Sequence, residues 1–261
     1  MTNSLDEDMK ITIKAVRGAS EIILSYFKTD YEIRDKSPNN PVTAADLATD
    51  KFLKTALLAA RPEYGWLSEE EIDDGTRHHA KRTWFVDPID GTRAFIKGLP
   101  HFSISIALVE KKQPVLGVIY NPVTEELFTA IKGNGAFKNG VPIKVSQTNE
   151  LENARMLGAA HMFQSKLWQR EWPIMQINQR NSIAYRMALI ASGEFDCAIA
   201  TTSKNDWDLA AGTLILNEAG GFATDHLGQA FVFNETLKQR SLLACCQGLK
   251  NELLARLAHI K

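Results

Sequence analysis

The chain has 261 residues, of which 44% are hydrophobic and 23% charged, and a formal net charge of −1. That length and apolar share allow one large domain or two small ones around a sizeable core. The charge balance gives no bulk attraction to a nucleic-acid polymer or an anionic membrane, and no apolar run is long enough for a membrane span.

Met1 to Asp8 is polar and acidic, unlike a signal peptide. Residues 6 to 28 place Met9, Ile13, Val16, Ile22, Ile23 and Phe27 roughly on one face and predict an amphipathic helix. Residues 35 to 42 read as loop. Thr43 then opens a second helix that stops before Pro62, and Asp46 stands three residues on, the spacing of a capping box. Trp66 and Leu67 predict a short strand that runs into Glu69 and Glu70. An acid run is ordinarily a solvated face, but a strand end allows Glu69 to turn inward. Residues 71 to 82, with His78 and His79, read as a mobile surface loop.

Trp84 to Asp87 predicts the end of a short buried strand, broken at Pro88, with Gly91 able to adopt an unusual backbone angle. Carboxylates at Asp87 and Asp90 can converge on one point, where they repel unless a cation lies between them. All-oxygen ligands suit a hard ion such as Mg2+. Gly91 and Thr92 then offer N–H groups and a hydroxyl to an anion. The same residues also fit a plain Pro-Gly turn in which the two Asp are turn formers.

A helical turn is predicted to open at Thr92 and run to Lys97. The alternation from Phe102 to Val109 predicts a strand with one buried face. Strands at Val115 to Tyr120 and Glu126 to Ile131 follow, with hairpin turns at Gly133-Asn134-Gly135 and Asn139-Gly140, so residues 102 to 145 read as an antiparallel meander. Near residue 150 the pattern changes to alternating helices and strands. Strands are predicted at Ala154 to Gly158, Cys197 to Ala200 and Leu242 to Ala244. Helices are predicted at Gln164 to Trp172, Ile183 to Ala191, Trp207 to Ala219 (capped by Asp206) and 248 to 259. Asp208, in a first helical turn, suits the helix dipole and is equally the expected third acid of a metal cluster. Cys197, Cys245 and Cys246 have neither a disulfide framework nor zinc spacing, so a reducing cytoplasm is the expected location.

Asp87-Pro88-Ile89-Asp90-Gly91-Thr92 resembles the first signature of the inositol monophosphatase family. Trp207-Asp208-Leu209-Ala210-Ala211-Gly212, followed by Glu218-Ala219-Gly220-Gly221, resembles its second. Glu69-Glu70 matches the family's acidic pair, and Thr43-Ala44-Ala45-Asp46 its Thr-x-x-Asp, all in the family's order over residues 43 to 221. The resemblance implies a layered α/β (α+β) sandwich of the sugar-phosphatase class. Residues 1–149 would carry most metal ligands and residues 150–261 would carry Asp208, in one catalytic unit.

The resemblance further implies a Mg2+-dependent phosphomonoesterase with two or three ions, inhibited by lithium and commonly a homodimer. It assigns Glu69, Asp87, the Ile89 carbonyl, Asp90 and Asp208 to the metals and Gly91 and Thr92 to the phosphate. Asp46 and Thr92 become the catalytic pair that polarises the attacking water, and Glu70 an outer neighbour. The partner is a small phosphorylated metabolite. Inositol-specific members carry an acid seven positions before the second motif's Asp, where this chain has Thr201. Lys204 in the same loop suits a second phosphate, and Pro41 to Asp46 resembles the 3′(2′),5′-bisphosphate nucleotidases. Gly133 to Phe137, followed by Asn139-Gly140, resembles the inositol monophosphatases. Inositol 1-phosphate and 3′-phosphoadenosine 5′-phosphate therefore compete as substrates, with a non-catalytic regulatory member of the fold as a reading of another class.

Overall fold

The computed structural model describes residues 4–37, 40–164 and 168–260. In chain order the first half comprises α1 (Leu5–Tyr26), β1 (Ile33–Ser37), β2 (Asn40–Thr43), α2 (Ala44–Ala60), β3 (Gly65–Ser68), β4 (Arg82–Asp90), α3 (Thr92–Ile96), β5 (Ser103–Glu110), β6 (Gln113–Asn121), β7 (Glu126–Ile131), β8 (Ala136–Lys138) and β9 (Val141–Ile143). There follow β10 (Arg155–Leu157), α4 (Ala160–Phe163), β11 (Gln176–Asn178), α5 (Ile183–Ala191), β12 (Cys197–Ala200), β13 (Lys204–Asn205), α6 (Asp206–Glu218), β14 (Phe222–Thr224), β15 (Lys238–Gln239), β16 (Leu242–Cys245) and α7 (Lys250–Leu257).

The seven strands β3 to β9 form one sheet in sequence order; β3 and β4 are parallel and the rest antiparallel. A second sheet has the order β11-β10-β12-β16-β14. The α1/α2 pair packs on one face of the large sheet, α2 on β4 and α1 on β6. The α5/α6 pair covers the other face, and its far side carries the small sheet. A helix between two sheets must be apolar all round, and eight of the nine residues of α5 are buried. Gly117 allows α6 to lie directly on β6, because a Cβ there would sit 2.9 Å from the Ala211 carbonyl oxygen.

This layering changes the reading of β5. One buried face is expected from its alternation, yet seven of its eight residues are buried. Its serines tolerate burial because they are hydrogen-bonded: Ser105 donates to the Trp207 carbonyl at 3.2 Å, and Ser103 pairs with Ser182 at 3.0 Å. The strand at Trp84 to Asp87 is also longer than expected. It continues to Asp90 through a register shift, with Asp87 opposite Ser105 and Asp90 opposite Ser103.

Other differences follow from contacts that no local pattern encodes. The expected loop at 35 to 42 contains the antiparallel ribbon β1–β2, whose polar residues lack a two-residue hydrophobic period; Pro38 and Asn39 lie outside the described residues. Residues 71 to 82 are not simply a surface loop. Thr76–His79 forms a 3-10 turn, and Arg77 is buried, taking Asp73 through two donors at 3.0 and 2.9 Å. The helix expected at Gln164 to Trp172 is replaced by the shorter α4 just before it; the described part of that stretch is non-helical, and residues 165–167 lie outside the description. Asn205, not Asp206, caps α6. Asp206 instead accepts from the Asn234 N–H and the Gln239 amide.

Candidate active site

The parallel register of β3 and β4 pairs Leu67 with Phe85 and Ser68 with Val86, so the residues that follow, Glu69 and Asp87, emerge side by side. The Glu69 N–H extends the ladder to the Val86 carbonyl at 3.2 Å. Asp208 arrives from the first turn of α6, held by the Asn205 N–H at 2.9 Å. One carboxylate oxygen from each of Glu69, Asp87 and Asp208 lies within 4.8 Å of the other two. Three acids at that spacing, all of them oxygen donors, suit a hard divalent ion.

Asp90 lines the same cavity, of about 730 Å3, with one oxygen committed elsewhere. Its Oδ2 accepts the Ser182 hydroxyl at 2.6 Å and the Ala184 N–H at 2.7 Å. Those donors form the start of α5, where Ser182 also caps Tyr185 N–H at 2.9 Å. Gly91 makes this approach feasible. Its φ is +101°, and a Cβ would lie 2.9 Å from the His101 carbonyl and 3.0 Å from the Ser182 nitrogen.

Asp46 is buried behind Thr92. The expected capping box is present: Asp46 Oδ2 accepts from the Thr43 N–H at 2.8 Å and hydroxyl at 2.5 Å. Asp46 Oδ1 is 3.1 Å from the Thr92 hydroxyl, which lies at the same distance from the Ile89 carbonyl. Capping and contact with Thr92 are therefore simultaneous, one oxygen for each.

Burial drives the electrostatics. It pushes Asp87 well above the usual carboxylate range, and the charges of Glu69, Asp90 and Asp208 add to it. Burial likewise raises Asp208, reinforced by Asp90 and Glu69. Burial lifts Asp90 to about 6 against the lowering by Ser182 and the start of α5. Burial lifts Asp46 to about 6 against the opposing hydrogen bonds of Thr43 and Thr92. The cluster is one that a cation would relieve.

Thr201 and Lys204 line the cavity, but the Lys204 ammonium folds onto its own loop, at 2.8 Å from the Thr202 hydroxyl. Sequence reasoning missed Ser182 and Arg186. A serine just before the apolar run of α5 was the available signal for the first; a single Arg in that run was the signal for the second.

A sequence profile of the inositol monophosphatase family matches residues 4–261. The chain belongs to the inositol monophosphatase family. It is 33% identical over 245 residues to inositol monophosphatase 3 of Solanum lycopersicum, covering 87% of this chain and 89% of that one. It is 32% identical over 231 residues to the Nus factor SuhB of Pasteurella multocida, covering 84% and 85%. An IMPase structure from Thermotoga maritima superposes with a TM-score of 0.86 at 28% identity, covering 97% of this chain and 98% of that one. The layered inositol monophosphatase fold is therefore the fold of this chain, and the family is one of phosphoric monoester hydrolases.

Proposed function

We propose that this chain is a Mg2+-dependent phosphomonoesterase that hydrolyses a small phosphorylated polyol such as inositol 1-phosphate. One observation carries the reading: carboxylates from three separate segments, Glu69, Asp87 and Asp208, lie within 4.8 Å of each other. In this reading these three, with Asp90 and the Ile89 carbonyl, hold two or three ions. When bound, magnesium makes water a better nucleophile and offsets phosphoryl charge. Asp46 accepts the Thr92 hydroxyl hydrogen, which turns a Thr92 lone pair toward the attacking water. Gly91 and Thr92 N–H groups hold the phosphate. No covalent nucleophile is invoked. Residues 1–149 and 150–261 act as one catalytic unit. A cytoplasmic homodimer inhibited by lithium completes the reading.

A 3′(2′),5′-bisphosphate nucleotidase acting on 3′-phosphoadenosine 5′-phosphate is the second reading. Thr201, in place of an acid, and Lys204 favour it, since both line the cavity. A non-catalytic regulatory role is the third, and one relative does carry the name of a Nus factor.

The test is phosphate release from inositol 1-phosphate, 3′-phosphoadenosine 5′-phosphate, histidinol phosphate and fructose 1,6-bisphosphate. Release is expected to require Mg2+, to stop with EDTA and to be lost in Asp90→Asn. Equal inertness of wild type and variant on the whole panel favours the regulatory reading; hydrolysis indifferent to EDTA ends the metal reading.

A further inference from the structure

Oδ2 of Asp90 has no lone pair left. A carboxylate oxygen carries two in its plane, and this one accepts both the Ser182 hydroxyl at 2.6 Å and the Ala184 N–H at 2.7 Å. The Ser182 hydroxyl is saturated in turn. A hydroxyl has one hydrogen and two acceptor positions. The hydrogen goes to Asp90, and the oxygen accepts the Tyr185 N–H at 2.9 Å. Ser103 Oγ lies 3.0 Å from Ser182 Oγ. With the Ser182 hydrogen already given to Asp90, Ser103 is the donor of that bond, and it fills the last position.

Little in this arrangement can turn. Ser103 and Ser182 are fully buried, and Ser103 stands opposite Asp90 in the β4–β5 register. The Ser182 N–H donates to the His101 carbonyl at 3.1 Å. Gly91 closes in beside it, its Cβ position 3.0 Å from the Ser182 nitrogen. Unmaking any one of these buried bonds costs about 1–3 kcal/mol. The consequence falls on the cation. Asp90 lines the cavity with one oxygen engaged from behind. It can offer a metal the other oxygen, but it cannot swing round to clasp the ion with both. Mg2+ accepts that restriction, because it is small, prefers a near-ideal octahedron and keeps several waters. Ca2+ is larger, takes roughly six to eight oxygens and gains from bidentate carboxylates.

We propose that Ser182, oriented by Ser103, is a positioning residue that makes Asp90 a one-oxygen ligand and so tips the site toward Mg2+ and away from Ca2+. This rests on the metal reading of the cavity and deepens it. Neither hydroxyl touches metal or substrate; both act through Asp90. The Ala184 N–H by itself would leave a lone pair of Oδ2 open, so the Ser182 side chain carries the discrimination.

Calorimetric titrations of the intact protein with Mg2+ and, separately, with Ca2+ give a dissociation constant for each bound ion. They are run on wild type, Ser182→Ala, Ser103→Ala and Asp90→Asn. The ion concerned is the one that Asp90→Asn weakens. For that ion the quotient Kd(Ca2+)/Kd(Mg2+) is expected to fall roughly tenfold in Ser182→Ala, because Mg2+ loses a preset ligand while Ca2+ gains a second oxygen. Ser103→Ala keeps the α5 cap and the bond to Asp90, and is expected to lower the quotient about threefold. In the Asp90→Asn background, adding Ser182→Ala is expected to leave the quotient unchanged. Melting in EDTA shows which variants are folded; if Ser182→Ala is not, Ser103→Ala decides. Equal loss of affinity for both ions, the mark of a merely structural role, overturns the proposal. So does a quotient unchanged in the folded variants, a quotient that falls as far without the Asp90 carboxylate, or an Asp90→Asn that weakens no ion. Wild type that binds neither ion ends the metal reading and this proposal with it; wild type that binds Mg2+ with a quotient indifferent to both serines ends the role of Ser182 alone.

Discussion

At the scale of single residues, the site is a set of groups that oppose folding unless something joins them. Asp87 is almost fully buried, and burial together with Glu69, Asp90 and Asp208 works against its charge. Asp87→Asn removes that repulsion along with a proposed metal ligand. The variant is expected to melt above wild type in EDTA, yet to lose roughly a thousandfold or more of its Mg2+-dependent hydrolysis. Paired thermal scans and phosphate release check both halves; a variant that melts lower in EDTA would show that the acids are not under strain. Asp46 illustrates how one side chain serves two ends. The capping box was legible from Thr43 and Asp46 alone, whereas the pairing of its second oxygen with Thr92, 46 residues away, was expected only through the family resemblance, because no local pattern reaches that far.

At the scale of elements, two junctions are held by specific contacts, one at the site and one in the small sheet. Gly91 turns β4 into α3 at a φ of +101° while the His101 carbonyl and the Ser182 nitrogen close in. Gly91→Ala is expected to cost about 1–3 kcal/mol from the backbone angle alone, and to lower activity further by pushing α5 and its Ser182 away from Asp90. Denaturant unfolding with kcat on the same preparation measures it; a variant as stable as wild type contradicts the packing. The second junction is Asp196, before β12. It accepts the Arg155 N–H at 2.7 Å, the Arg155 guanidinium at 2.6 and 3.1 Å and the Ser146 hydroxyl at 2.6 Å. Burial pushes its carboxyl up, but these donors outweigh burial and hold it below the usual range. A depressed folded value means that the ionised form stabilises the fold above the unfolded value of about 3.9, and that this is lost as pH falls through the folded value. Asp196→Asn is therefore expected to be less stable than wild type at pH 7, by about 1–3 kcal/mol, with the gap closing below pH 4. A gap that does not change with pH contradicts the charged pairing.

At the scale of the whole molecule, the proposed ligands come from the end of β3, from β4 and from α6, so a bound metal would tie the large sheet to the helical layer beneath it. Mg2+ at a hundred times its dissociation constant is expected to add about 2.7 kcal/mol to the stability, seen as a rise in melting temperature that EDTA reverses and Asp208→Asn diminishes. A melting temperature indifferent to Mg2+ argues against the assembled cluster. What the sequence determined by itself was whatever depends on near neighbours: the long helices, the β5–β9 meander, the capping box at Thr43 and the ordered motifs that carry the acids. Those patterns are periodic or contiguous, and local backbone preference is enough to express them. Tertiary structure alone decided the parallel β3–β4 register that sets Glu69 beside Asp87, the Ser182 and Ala184 donors on Asp90, and the outward reach of Arg186 from a helix buried on every other side. Each of these joins segments far apart in the chain or depends on which layer covers a face, and that is set by how sheets and helices stack rather than by any short run of residues.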